Sequence, residues 1–126
     1  MERMATCCCG ALSMATIGEP IKISACHCRS CQKRTGSAFS VAVFFDRENA
    51  RPRGPSEMFT RLGDSGLPVD FHFCPSCAST LFWYPKFRPA WVGVAIGCFD
   101  DHAFVPTQAV YEHERLEWAQ IQLRSN

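Results

Sequence analysis

The sequence predicts an all-β fold, and two observations predict it. Short segments of alternating apolar and polar residues succeed one another between turn signals, and no long stretch carries the 3.6-residue period of a helix. The length of 126 residues suits one core, so a single domain over residues 1–126 is expected. Nearly half of the residues (47%) are hydrophobic and a fifth (20%) are charged, a balance that permits a packed interior.

Taken in order, residues 11–17 alternate, Gly18-Glu19-Pro20 turns the chain, and residues 21–25 alternate again, which reads as a hairpin. Residues 47–55 carry prolines, a glycine and charges and read as an exposed loop. Further strands are expected over 38–45, 58–62, 69–73, 80–84, 91–98, 109–111 and 116–123.

Charge and apolar runs narrow the function classes. A formal net charge of +1 offers no general attraction for a phosphate backbone, so nucleic acid is not an expected partner. The longest apolar runs, 41–45 and 91–99, fall far short of the roughly 20 residues that a membrane helix needs. The first residues lack the apolar core of a secretory signal. A cytoplasmic protein with no membrane partner is therefore expected. In a reducing compartment its nine cysteines, an odd number to pair, favour metal over a disulfide framework.

The spacing of those cysteines carries the chemistry. Cys7-Cys8-Cys9 and Cys26-His27-Cys28 each hold a C-x-C, whose outer sulfurs point to one face in an extended chain. The middle residues point away, so Cys8 reads as a small buried or half-buried side chain and His27 as an orienting or structural one. Cys28-Arg29-Ser30-Cys31 and Cys74-Pro75-Ser76-Cys77 are both C-x2-C, the spacing with which a tight turn offers two thiolates to one tetrahedral zinc. The alternative for the second, a redox dithiol, wants a flanking βαβ unit that is absent from the pattern.

Seven candidate ligands are one closed set of four plus one open set of three. Spacing does not say which cysteines share an ion. Cys26, Cys28 and Cys31 are self-contained and suit the open set, which leaves Cys7, Cys9, Cys74 and Cys77 for a structural zinc. The rival is a second closed set completed by Cys98, although Cys98 alternates with Val92, Val94 and Ile96 and so belongs with a core-facing strand edge.

The motifs Cys7-Cys8-Cys9-Gly10-Ala11, Cys26-His27-Cys28-Arg29-Ser30-Cys31-Gln32-Lys33 and Phe73-Cys74-Pro75-Ser76-Cys77, with Thr80-Leu81-Phe82-Trp83 and Gly97-Cys98-Phe99-Asp100-Asp101, resemble the glutathione-dependent formaldehyde-activating family. The resemblance covers residues 7–118. It implies a small zinc-stapled domain of twisted antiparallel sheets (a β-tent) with two zinc ions per chain. It also implies carbon–sulfur lyase chemistry that joins glutathione and formaldehyde, with Cys26, Cys28 and Cys31 catalytic through an open zinc site. Ala78 stands where the family usually has glycine, and Cys8 where it has a smaller or polar residue.

Three thiolates and a divalent ion keep a net negative charge, and glutathione adds two carboxylates, so cations are needed nearby. Arg29, Lys33 and Arg34 stand closest in sequence, with an exposed basic turn as the plain alternative. Thr35-Gly36-Ser37-Ala38 is a weaker candidate for the pocket wall. Phe82, Trp83 and Trp91 read as core. A non-catalytic zinc-stabilised binding module and a zinc-ribbon nucleic-acid binder are the competing functions, the second opposed by the near-neutral charge.

Overall fold

In a computed structural model, which describes residues 1–125, the chain forms two sheets and one short helix. Strands β1 (Glu2–Thr6), β2 (Ser13–Ile17) and β5 (Ala50–Arg53) make a three-stranded sheet in the order β1-β2-β5. The larger sheet draws on β3 (Lys22–Cys26), β4 (Ser40–Asp46), β6 (Glu57–Leu62) and β7 (Pro68–Phe73). It is completed by β8 (Thr80–Pro85), β9 (Trp91–Ala95) and β10 (Gln108–Val110), in the order β10-β3-β4-β9-β8-β7-β6. Helix α1 (Arg29–Thr35) lies between β3 and β4. No helix among the described residues is long and apolar enough to cross a membrane.

Alternation gives the large sheet two different faces. On β4, Val41, Val43 and Phe45 point into a core shared with Val92 and Val94 of β9, Leu81 of β8 and Leu12 and Met14 from the small-sheet side. Fully burying each large side chain contributes roughly 1.5–3 kcal/mol. The intervening Ala42 and Phe44 point the other way and pack with Val69, Phe71 and Trp83. Gly93 faces Trp83 across the β8–β9 pair, where a Cβ would lie 2.4 Å from the indole Nε1. Only glycine leaves the indole its place.

Most expected strands appear, and the departures have physical causes. The 11–17 and 21–25 segments do not form a hairpin. β2 pairs with β1, and β3 pairs with β4 and β10, so the Gly18-Glu19-Pro20 turn carries the chain from one sheet to the other. β1 lacks a clear sequence signal because it is only five residues long and two of them, Glu2 and Arg3, are charged. The expected loop at 47–55 contains β5, an edge strand that accommodates Pro52 because it pairs on one side only. β10 runs parallel to β3, the exception in an otherwise antiparallel arrangement. Residues 116–123 form no strand, being folded locally by hydrogen bonds such as Ala119 N–H to the Leu116 carbonyl (2.9 Å). The 91–98 segment ends as a strand at Ala95 and tightens into a 3-10 turn, Ile96–Cys98.

A β-bulge between His72 and Phe73 ends the regular β7–β8 pairing just before Cys74. The turn that follows closes with an Ala78 N–H donating to the Cys74 carbonyl at 2.8 Å, and Ala78 takes a left-handed conformation with φ 66°. That conformation costs a side-chain-bearing residue about 1 kcal/mol or more, and glycine nothing. Ala78→Gly is therefore expected to stabilise the protein by up to about 1 kcal/mol, read as a melting temperature raised by a few degrees. An unchanged or lowered melting point would show that the turn is not strained.

Candidate metal centres and the cavity

The sulfurs of Cys7, Cys9, Cys74 and Cys77 lie within 4.8 Å of one another. Cys7 and Cys9 come from the turn joining β1 to β2, Cys74 and Cys77 from the turn joining β7 to β8, so the cluster sits where the two sheets meet. Here the C-x-C is held in a turn, not an extended strand. Cys7 N–H donates to the Leu12 carbonyl (2.9 Å), Gly10 N–H to the Cys7 carbonyl (3.0 Å), and Gly10 has φ 85°. Cys8 is exposed at the tip, departing from the expected half-buried position.

Two separations, Cys7 to Cys9 and Cys9 to Cys74, are both 3.7 Å. A tetrahedron with ligands about 2.3 Å from a zinc centre has edges of about 3.8 Å, so the spacing fits a four-thiolate site. Further donors support negative sulfur. Leu12 N–H reaches Cys7 Sγ at 3.2 Å, and the Ser79 hydroxyl lies 3.3 Å from Cys77 Sγ. Hydrogen bonds from the Ser79 hydroxyl and amide, then from the Cys9 amide, push the Cys77 thiol down to about 5. Ser79 also accepts from Cys8 N–H at 3.0 Å, a bracing role that no spacing rule announces.

Cys26, Cys28 and Cys31 form the second group, again with sulfurs within 4.8 Å of one another. Cys26 ends β3 on the face of Lys22 and Ser24, opposite the core. Cys28 is the N-cap of α1, its sulfur accepting from Cys31 N–H at 3.3 Å, and Gly36 (φ 68°) closes the helix by donating to the Gln32 carbonyl. This seven-residue helix has too few turns to display a period, which is why pattern reading passes over it. Gln32 anchors it, donating to the carbonyls of His27 (2.8 Å) and Glu114 (3.0 Å), while Arg29 N–H donates to Glu114 Oε1 at 2.7 Å. His27 points to the opposite side, buried against Phe39 and away from the three sulfurs, as its place in C-x-C requires.

The three sulfurs open onto a cavity of about 390 Å³ on the non-core face of the large sheet. Its floor and walls come from alternate residues of the strands, among them Ser40 and Phe44 of β4, Phe71 of β7, Trp83 of β8 and Trp91 of β9. Trp83 and Trp91 thus line the cavity, whereas Phe82 packs in the core on the other face. Arg29 and Arg34 line it too, but Lys33 is exposed and lies outside it, as do residues 35–38. Arg34, one helical turn after Cys31, donates to Ser40 Oγ at 2.8 Å and lies over the rings of Phe71 (4.6 Å) and Trp83 (4.8 Å).

Arg61, on β6 at the far edge of the sheet, enters the same cavity, and sequence reading missed it because strand pairing alone brings it there. At the mouth, the Tyr111 hydroxyl donates to Asp64, tying the end of β10 to the turn between β6 and β7. Tyr111 does so from a left-handed conformation, φ 55°. The hydrogen bond to Asp64, then burial, pushes its phenol up to about 12.

The trio shares its charge unequally. Hydrogen bonding from Cys26 lowers Cys31 to about 5 against the effect of burial, helped by Cys28 and the Arg34 and Arg61 guanidiniums. The same contact with Cys31, together with burial, pushes Cys26 upward. Cys98 is outside this trio. It is half-buried against the core, on the side of Cys7 and Cys77, and burial raises its thiol. A second closed site completed by Cys98 has no support in this geometry.

In fold the chain is similar to a Rhodobacter sphaeroides protein of known crystal structure, at 20% identity and a TM-score of 0.60, over 77% of this chain and 87% of that one. No curated protein sequence matches it. The family model of the glutathione-dependent formaldehyde-activating enzyme matches residues 2–114, a span that takes in both cysteine clusters and the cavity, and the chain belongs to that family.

Proposed function

We propose that this chain is a zinc-dependent carbon–sulfur lyase-like protein acting on adducts of glutathione, or a similar thiol, with formaldehyde or a related small aldehyde. One observation carries the reading: Cys26, Cys28 and Cys31 all line the cavity of about 390 Å³, and Cys7, Cys9, Cys74 and Cys77 lie outside it. Two zinc ions per chain follow as the proposed complement, a structural one on the four sulfurs and a second on the three. Zinc at the three-sulfur site would supply Lewis acidity, favouring the thiolate form of a substrate and polarising an aldehyde oxygen.

The chain's own residues would do the rest. Arg34 offers a guanidinium on the cavity side of Cys31, and Arg29 a second cation at the rim, so an acidic thiol is drawn toward the sulfurs. Lys33 has no part in this set, since it faces away from the cavity. Phe71, Trp83 and Trp91 give the floor an apolar surface that excludes water around the reacting groups. In the proposed reaction the thiol sulfur bonds to the aldehyde carbon, the carbonyl π pair moves to oxygen, and the proton lost by the thiol ends on that oxygen. The reverse breaks the same carbon–sulfur bond.

Three outcomes are expected. Cys74→Ser should destabilise the fold far more than Cys26→Ser, because a structural zinc contributes on the order of 10 kcal/mol to the folding of a small domain. Equal losses in thermal melts would mean that the two clusters do not divide into structural and open sites. Metal analysis of Cys8→Ser and Cys98→Ser should return the wild-type zinc content, Cys8 being exposed and Cys98 outside both clusters. Loss of one ion in either variant contradicts the ligand sets.

The function itself is read by magnetisation-transfer NMR of formaldehyde exchanging with its glutathione adduct, with Cys28→Ala as control. Wild type should exceed the buffer rate and the control should not. Identical rates, with no glutathione-induced shifts, would replace the lyase with a non-catalytic binding module.

A further inference from the structure

Arg34 and Arg61 reach the cavity from opposite walls, one from α1 and the other from the edge strand β6, and converge on one ring. Their guanidinium carbons lie 4.6 Å and 5.1 Å from the centroid of Phe71. Neither makes a salt bridge among the described residues, although Arg3 and Lys86 elsewhere in the protein do. The Nε atom of each is buried with no hydrogen-bond partner. Arg34 has a partner in Ser40 and lies beside Cys31, whereas Arg61 has no side-chain hydrogen bond or ion pair among the described residues, and two half-buried cations that share one ring repel each other.

The three thiolates do not account for both. With a divalent ion they would carry one net negative charge, which Arg34 alone, beside Cys31, offsets. The acids at the mouth are engaged elsewhere, Asp64 by the Tyr111 hydroxyl and Glu114 by the Arg29 amide. Arg61 therefore favours one further anion in the cavity. That anion must be small enough to fit over the Phe71 ring, and its oxygens must suit planar, forked donors, as those of a carboxylate do.

We propose that Arg34 and Arg61 form a carboxylate-binding subsite that holds the acidic end of the substrate while its sulfur faces Cys26, Cys28 and Cys31, so that the protein selects carboxylate-bearing thiols. This deepens the proposed lyase reading and rests on it for the thiol, but the subsite is testable without a thiol. Glutarate serves as a carboxylate probe that has no sulfur, cysteamine as a thiol that has no carboxylate, and glutathione as the thiol with both.

Each is titrated into the zinc-loaded protein and followed through the Trp83 indole and arginine side-chain NMR signals. In wild type, glutarate and glutathione should shift these signals, and Arg61→Gln should weaken both by about tenfold, the loss of one charge-assisted contact. Cysteamine affinity should be unchanged. Arg61→Lys, which keeps the charge but not the fork, should fall between, and matching melting curves establish that each variant is folded.

Absence of glutarate shifts in wild type, or equal glutathione affinity in wild type and Arg61→Gln, overturns the subsite. If glutarate binding depends on Arg61 but no formaldehyde exchange is found, the subsite stands and the lyase reading falls. If exchange is found and Arg61→Gln is indistinguishable from wild type, the lyase reading stands and the subsite falls.

Discussion

Four sulfurs from two turns meet at the junction of the sheets, and the rest of the architecture depends on that meeting. The apolar face of the three-stranded sheet must be buried against another layer, and here Ala5, Leu12 and Met14 pack into the core shared with the large sheet. Cys7 and Cys9 in one turn meet Cys74 and Cys77 in the other at the place where that covering occurs. The local backbone is shaped to suit. A bulge precedes Cys74, Ala78 takes a left-handed conformation after Cys77, and amide and hydroxyl donors point at the sulfurs. These features suit sulfurs that could hold one metal ion together.

Once the junction is made, the large sheet has one face buried in the shared core and the other free to build a cavity. The division follows from the two-residue period of a strand. Val41, Val43 and Phe45 of β4 satisfy the core, while Ser40, Ala42 and Phe44 are spared for the other side. Residues costly in a core, such as Lys22, Ser24, Arg34 and Arg61, gather on that second face. The larger core thus lies on one side of a single sheet, and the cavity on the other. Gly93 belongs to the same logic, since removing its side chain lets Trp83 lie across the neighbouring strand as floor.

The three-cysteine cluster draws on local and distant structure. Cys28 and Cys31 are placed by the cap of a short helix, an arrangement encoded within a few residues. That helix is too short to be stable alone, and its position is set by contacts from far along the chain, through Gln32 and Arg29 to Glu114. The parallel pairing of β10 with β3 brings that distant segment alongside, and with it Tyr111 and its bond to Asp64 at the cavity mouth.

Sequence by itself determined the all-β class, the seven clustered cysteines, the turning of His27 away from the sulfurs and most strands, because each rests on a local rule. Two-residue alternation chooses a face, C-x2-C fits a tight turn, and the middle residue of C-x-C points away from its neighbours. Tertiary structure decided the rest. Which strands pair could not be read locally: the apparent hairpin across Gly18-Glu19-Pro20 is a crossing between sheets, and β10 runs parallel to β3. The same applies to the cavity. Arg34 was visible as a cation near the cysteines, but Arg61 arrives only through the ordering of β6, β7 and β8, and Lys33 is turned away by the rotation of the helix. Alternation specifies the face a residue occupies within its own strand; its neighbours on that face depend on long-range register, which no single segment contains.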